Sequence, residues 1–469
     1  MYELYQKFIG SFSDWLYSYI LIILLIAAGL YFTFRTNFVQ FRMFKESIKL
    51  VAEPKEDKDS ISPFEALMVS TASRVGVGNI AGVSTAIVLG GAGSVFWMWM
   101  IAIIGGASAF IESTLAQIYK VRDKDGGSYG GPAYYIQAAL KSRFFGMVFA
   151  VVLIFTYMGG FNMVAAFNVA SAFESYSFYN SSTPIIVGVA LAILTGLSIF
   201  KGGKTLSKIT SIIVPIMALS YIAVSLIIVV THLNLVPVMF SSIFSQAFDF
   251  QAAFGGFAGS AIMYGIKRGL YSNEAGVGSA PNAAAAASVS HPAKQGLVQM
   301  LSVFIDTLLI CSATAFMLLC SGVTPTPEMK GVPYAQEALS ATFGEFGVSF
   351  ITFALFCFAF TTIIGNFFYA ESNFKYLVQK DPSKVTLTLF RLAAAVIVFF
   401  GAQLEFSIAW DTADVLMGIM ALINIPVILI LGRIAFRCLD DYTKQKKEGK
   451  NPVFKAQSIG LKEKTDFWN

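Results

Sequence analysis

Charge is scarce in this chain. Of 469 residues only 13% are Asp, Glu, Lys or Arg, whereas 56% are hydrophobic and the mean hydropathy is +0.67. That balance excludes an ordinary soluble globular protein of this size. Histidine is nearly absent, and His232 and His291 carry no assigned role. The four cysteines (Cys311, Cys320, Cys357 and Cys438) lie in or beside apolar stretches without CxxC spacing, which excludes a disulfide framework or a zinc site. There is no HExxH and no GxSxG. Gly203-Lys204-Thr205 has the ending of a phosphate-binding loop, but Ser198 stands where its first glycine is required. Enzyme and ATP-driven pump readings therefore fall away. No basic low-complexity tract points to nucleic acid, and the TVGYG filter of potassium channels is missing.

What the chain does have is apolar runs of bilayer length, about 20 residues each. They fall at roughly 16–34, 62–89, 93–119, 144–171, 183–200, 205–231, 246–270, 296–321, 347–378, 385–403 and 407–436. The expectation is an all-α polytopic membrane protein with about eleven transmembrane helices. The first run is too long for a signal-peptide core and is read as a retained helix. Lys and Arg fall in alternate loops: 35–60, 120–143, 201–208, a turn holding Lys267, Arg268 and Lys294, then 375–384 and the tail. Loops 172–182, 232–245 and 322–346 contain only Lys330. The bias of basic residues toward the cytoplasm places the N-terminus outside and the C-terminus inside.

One span and an amphipathic connector (1–60) precede ten spans that divide as five plus five. A five-span unit crosses an odd number of times, so its repeat enters from the opposite side. The expected units are 61–232 and an inverted 233–437, followed by a solvated basic tail, 438–469, that can also touch anionic lipid.

Near the start of the second run the chain reads Ser73-Arg74-Val75-Gly76-Val77-Gly78-Asn79. A cation and two glycines interrupt a helix at membrane depth, where freed backbone groups must face protein, water or ligand. The N–H groups of Val77, Gly78 and Asn79 suit a carboxylate, and the carbonyls near Ala72 and Val75 suit a hard cation such as Na⁺. Gly255-Gly256 lie in a second glycine cluster, read as a second broken helix; paired breaks point to a transporter binding site. Thr361 and Thr362 either complete the sodium site or bond back to their own helix. Glu112 and Asp306 lie inside apolar runs, and one of them is expected to pair with Arg74 in a structural or gating ion pair.

Four blocks carry a family resemblance. The segment from Ala66 to Trp99, with SRVGVGNIAG, resembles the alanine or glycine:cation symporters. So do GGSYGGPAYYI (Gly126 to Ile136), RGLYSNEAGVGSAP (Arg268 to Pro281) and FAFTTIIGN (Phe358 to Asn366). The matches run in family order over nearly the whole chain. The resemblance implies a leucine-transporter-like fold, five-plus-five inverted repeats after one extra helix. It also implies sodium-coupled uptake of small neutral amino acids at a prokaryotic plasma membrane. Carried over by position, Val77 and Gly78 meet the substrate carboxylate, and Gly255 and Gly256 its ammonium. Ala72, Val75, Thr361 and Thr362 hold Na⁺, with Thr362 alternatively facing the substrate.

This chain departs from the family's usual Gln at Ala165 and Trp at Asn366, and has Gly76-Val77-Gly78-Asn79 where GTGN is common. If Ala165 and Asn366 line the pocket, it has room for a larger neutral amino acid such as glutamine, unless Phe161 or Phe367 fills the space. The competing readings are a proton-coupled transporter of the same fold and, from another class, a channel. The partners implied are a neutral amino acid and the lipid bilayer. The sequence leaves the oligomeric state open, and a monomer suffices.

Overall fold

The computed structural model describes residues 2–55, 60–123, 127–201, 203–248, 260–379 and 382–468. It is built almost wholly of helices. Helix α1 (Tyr2–Arg35) leads to a short amphipathic α2 (Phe44–Val51). Next come α3 (Pro63–Arg74) and α4 (Gly78–Gly90), which bend by 51° where they meet. The chain continues with α5 (Gly93–Ile118), a two-stranded hairpin at 121–122 and 128–129, α6 (Pro132–Leu140), α7 (Arg143–Ser171), α8 (Thr183–Ile199) and α9 (Gly203–Thr231). The second half holds α10 (Val236–Ala247), α11 (Ala261–Asn273), α12 (Pro281–Ala286), α13 (Pro292–Leu319), α14 (Val332–Phe343), α15 (Glu345–Val378), α16 (Lys384–Gly401) and α17 (Phe406–Lys447).

Among the described residues, eight helices are long and apolar enough to cross a membrane, and the bent α3/α4 pair makes a ninth. Length and apolarity alone do not reach the expected eleven; the 17-residue α8 and the broken α11/α12 are the segments that would complete it. Apolar side chains on α8, α9 and α16, such as Ile186, Leu219 and Leu389, stay exposed, as lipid-facing residues do.

Local chemistry fixes where the helices start and stop. Ser62 and Glu65 form a reciprocal cap at the start of α3, with Pro63 in the first turn. Ser260 accepts from the Met263 N–H at 3.2 Å to start α11, which ends at Glu274 in the left-handed region (φ 54°). Gly276 (φ 85°) and Gly278 (φ 96°) then carry the chain through conformations a side chain would strain, before Pro281 starts α12.

The described second break is therefore at 274–280. Gly255 and Gly256, the expected position, lie outside the described residues. The expected span 246–270 is revised. Helix α10 stops at Ala247, and α11 runs past Arg268 to Asn273. Lys267 and Arg268 are thus not loop residues. They sit 3% exposed within α11, opposite acids of α17. An apolar-run reading ends a span at the first pair of cations, but these cations are neutralised inside the bundle.

The connector, the 120–123 segment, Lys294, Lys375 and the tail meet at one end. Lys294 reaches Glu53 at 2.5 Å, Lys375 reaches Asp123 at 3.1 Å, and Lys446 reaches Glu46 at 2.7 Å. The tail packs there too, contrary to the solvated end expected. The Phe454 N–H donates to Ser290 O at 2.9 Å and the Trp468 indole donates to Gln117 O at 2.8 Å. Lys120 and Arg122 lie 4.6 and 4.4 Å from the Phe467 ring. Aromatic residues scattered among lysines supply enough apolar surface to dock a segment that looks hydrophilic.

Candidate functional site

The two breaks face each other in the bundle interior. In the first, α3 ends and Val75 turns the chain (φ −74°, ψ 89°), and among the described residues its carbonyl accepts no hydrogen bond. The Asn79 side chain straps the break: its Oδ1 accepts from the Gly76 N–H at 2.8 Å and its Nδ2 donates to Asp306 Oδ1 at 2.8 Å. The Asn79 N–H donates to Gly76 O. Asn79 is thus fully engaged as a brace. The N–H groups of Val77 and Gly78, in the first turn of the helix, have no partner beyond their own helix among the described residues. Both glycines admit a neighbour. A Cβ on Gly76 would lie 2.1 Å from Thr362 Oγ1, and one on Gly78 would lie 2.9 Å from the Tyr271 ring.

The threonine pair divides. Thr362 donates to Ala72 O at 3.1 Å across the break. Thr361 points its hydroxyl back to Cys357 O and Phe358 O, at 3.1 and 3.0 Å, on its own helix. Ala72, Val75 and Thr362 therefore gather at the break, and Thr361 stands behind them.

Glu274 opens the second break and is fully buried. Its Oε2 accepts from Ser279 Oγ at 2.6 Å, and its Oε1 lies 3.4 Å from Ser73 Oγ on the first broken helix. Ser73 also reaches Asn366 Oδ1 at 2.7 Å. Asn366 Nδ2 in turn donates to Asn162 Oδ1 at 2.9 Å. Asn366 does not present a free amide.

The expected ion pair of Arg74 with Glu112 or Asp306 is not formed. Arg74 is 2% exposed; its Nη1 donates to Gln299 O at 3.4 Å, and Nε and Nη2 have no partner among the described residues. Neutral donors satisfy the two acids instead. Glu112 accepts from the Gly276 N–H at 3.2 Å and Asn424 Nδ2 at 2.8 Å, which braces the second break. Asp306 accepts from Asn79, from Ser272 at 2.7 Å and from Thr307 at 2.9 Å.

Beside the break lies a cluster of tilted aromatic rings. Phe161 and Tyr271 have ring centroids 4.6 Å apart, and Tyr271 and Trp410 4.7 Å. The Arg268 guanidinium lies 4.5 Å from the Trp410 ring and contacts Asp414, while Lys267 is 3.2 Å from the same carboxylate. Phe161 therefore borders the site, whereas Phe367 packs on Phe390 away from it. Ala165 is fully buried on α7, one turn beyond Phe161. Sequence reasoning did not single out Glu274, Tyr271, Trp410 or Asn162. For Glu274 the signal was present, an acid and two glycines inside an apolar context.

A model of the sodium:alanine symporter family matches residues 1–456. The amino-acid carrier protein AlsT of Bacillus subtilis is 44% identical over 98% of this chain and 97% of its own length. The probable sodium/glutamine symporter GlnT of the same organism is 43% identical over 97% of this chain and 94% of its own. Among solved structures, MhsT in complex with L-phenylalanine is similar in fold, with a TM-score of 0.59 at 12% identity, covering 87% of this chain and 92% of that one. The fold is of the leucine-transporter type, and the chain belongs to the sodium:alanine symporter family.

Proposed function

We propose that the chain couples inward Na⁺ flow to uptake of a small neutral amino acid by alternating access across a prokaryotic plasma membrane, with its N-terminus outside and its C-terminus cytoplasmic. The observation that carries this reading is the first break. Ala72 O, Val75 O and Thr362 Oγ1 form a hard-oxygen set suited to Na⁺, and the Val77 and Gly78 N–H groups next to it suit a carboxylate. The substrate ammonium faces the second break around Glu274. The repeats are 61–232 and 233–437, and the clustering of basic residues at the end that holds the tail supports the orientation.

A second reading rests on Glu274. It is a titratable carboxyl buried between the two breaks, within reach of Ser73 and Ser279, and a proton moving there would drive transport without Na⁺. Uptake of labelled alanine into proteoliposomes with separately imposed Na⁺ and H⁺ gradients decides. Uptake driven by Na⁺ at zero pH difference supports the first reading, and equal uptake from a proton gradient without Na⁺ overturns it.

A further inference from the structure

The end of the bundle that holds the tail carries a cavity with no part in the proposed amino-acid site. It holds about 510 Å³ where the ends of α5, α6 and α15 meet the start of α7, and Tyr119, Tyr134, Lys141, Arg143, Lys375 and Gln379 are among its walls. Three of these six are cations, and they are not equally engaged. Lys375 is neutralised by Asp123 at 3.1 Å. Arg143 has no carboxylate partner among the described residues: it reaches Gln137 Oε1 and Leu377 O, both at 3.4 Å, and lies 5.2 Å from the Tyr376 ring. Lys141 Nζ donates to Ala138 O at 2.7 Å, at the carbonyl end of its own helix, and it too has no carboxylate partner among the described residues. Tyr119 is 4% exposed, and its hydroxyl has no partner among the described residues. Unneutralised cations on long bonds to neutral acceptors, together with a buried hydroxyl, suit an anion rich in oxygen such as a phosphate ester. Helix α7 begins at Arg143, so the positive end of its dipole lies at the same rim.

The surface beside the rim decides which phosphate ester. Phe144 and Phe145, next to Arg143, are 65% and 59% exposed. Phe144, Val151 and Phe155 share one face of α7 by helical spacing, and Val151 and Phe155 are exposed as well. An apolar strip therefore starts beside the cation and runs along the helix. A soluble phosphate ester gains nothing from that strip, whereas an acyl chain buries apolar surface on it. Basic pockets between membrane helices on the cytoplasmic side are suited to anionic headgroups.

We infer that this cavity binds the phosphate of an anionic phospholipid of the cytoplasmic leaflet. Arg143 and Lys141 meet its charge, the Tyr119 hydroxyl adds a donor, and an acyl chain lies along Phe144, Val151 and Phe155. The leaflet rests on the orientation given under Proposed function; the site itself rests on the cavity and the strip.

The test titrates the full-length protein, purified in detergent, with phosphatidylglycerol or phosphatidylcholine and counts lipid retained per chain by native mass spectrometry. Wild-type protein is expected to bind the anionic lipid at least tenfold more tightly than the zwitterionic one, the equivalent of about 1.4 kcal/mol. The double variant Lys141→Gln/Arg143→Gln is expected to lose that preference, and Tyr119→Phe to weaken phosphatidylglycerol binding about threefold. Lys462→Gln/Lys464→Gln removes the same charge from exposed lysines of the tail and is expected to change nothing. An unchanged preference in the Lys141/Arg143 variant, or an equal loss in the tail variant, overturns the inference. If the Lys141/Arg143 variant does not fold, Tyr119→Phe decides, and unchanged affinity there overturns it. Displacement of the lipid by an equal concentration of glycerophosphoglycerol, its headgroup without acyl chains, assigns the cavity to a soluble phosphate ester and overturns the inference as well. Reaction of Lys141→Cys with an impermeant thiol reagent outside intact cells would overturn the orientation and with it the leaflet. Binding is read without transport, so phosphatidylglycerol binding in a protein that shows no Na⁺-driven uptake sinks the proposed function and leaves this site standing.

Discussion

The Ser288 N–H donates to the Ile61 carbonyl at 3.0 Å, so the residues just before the first broken helix and just after the second are joined by a single parallel bridge. The same region is held by Gln117, whose amide contacts the Ala284 and Ala287 carbonyls, and by Lys120, 2.9 Å from Ala287 O. Both breaks are thus anchored to one another at the end of the bundle where the tail docks. Movement of one inner half is therefore expected to carry the other with it.

Thr362→Val is expected to raise the Na⁺ concentration needed for half-maximal uptake tenfold or more, because Thr362 Oγ1 is the hydroxyl that reaches Ala72 O. Thr361→Val removes only a bond to its own helix and is expected to shift that value by less than threefold, about 0.7 kcal/mol or under. Na⁺ titrations of uptake check both. A larger effect at Thr361 than at Thr362 would reverse the assignment.

Asn79→Ala removes the acceptor of the Gly76 N–H and the donor to Asp306 in one step. Two buried groups are then unsatisfied, at about 1–3 kcal/mol each. The expected outcome is a lower unfolding temperature in detergent together with lost uptake. Asn79→Asp keeps the Gly76 bond but sets a second carboxylate against Asp306, and it is expected to be at least as damaging.

Asp414→Ala is expected to be worse than Arg268→Ala. Without Arg268, Asp414 keeps Lys267 at 3.2 Å. Without Asp414, Lys267 retains only Asp411 at 3.7 Å and Asp14 at 3.8 Å, and Arg268 loses its carboxylate while two of its nitrogens already lack partners among the described residues. Removing one member of a buried charge pair costs about 3–5 kcal/mol. Membrane yield and thermal stability of the two single variants, measured side by side, give the order.

His291, at the start of α13, is pushed down to about 4 because burial disfavours its charged form; Lys294 pushes the same way, and Asp441 at 3.2 Å opposes both. The unfolded chain binds a proton near pH 6.5 and the folded one does not until about 4. His291 therefore contributes stability above pH 6.5 that is lost as pH falls from 6.5 toward 4, at up to about 1.4 kcal/mol per pH unit. Its ring packs against Tyr442 and Phe454, so the tail is expected to loosen over that window. Unfolding temperature against pH should flatten in His291→Gln; an unaltered slope would assign the pH dependence to other groups.

The first break, its glycines and the transport class were legible because an arginine and two glycines inside an apolar run interrupt a helix where hydrocarbon tolerates no interruption. The break at 274–280 was missed because Lys267 and Arg268 look like the end of a span. Their neutralising partner Asp414 is 146 residues from Arg268, and no local pattern reveals it. The pairing expected of Arg74 failed for a related reason. Counting charges ignores that Asn79, Ser272 and Asn424 satisfy Asp306 and Glu112 without charge. Asn366 stands out in the sequence as a polar residue in an apolar run, but its hydrogen bonds are spent on Ser73 and Asn162. Ser73 and Asn162 are ordinary residues in sequence.

Three glycines set how the bundle can rock. A Cβ on Gly265 would stand 2.5 Å from Ser94 O, one on Gly269 2.7 Å from Ile101, and one on Gly296 2.2 Å from Thr114 Oγ1. At these points α11 and α13 bring bare backbone against α5, onto the Ser94 carbonyl and the Ile101 and Thr114 side chains, with no side chain of their own in the gap. A joint of that kind neither slides nor flexes cheaply, since close-packed interfaces switch between discrete arrangements and do not deform continuously. Helices α5, α11 and α13 consequently travel as one stiff block. Any bending between α11 and α12 is then expected downstream of Asn273, where Gly276 and Gly278 carry the chain between the two helices.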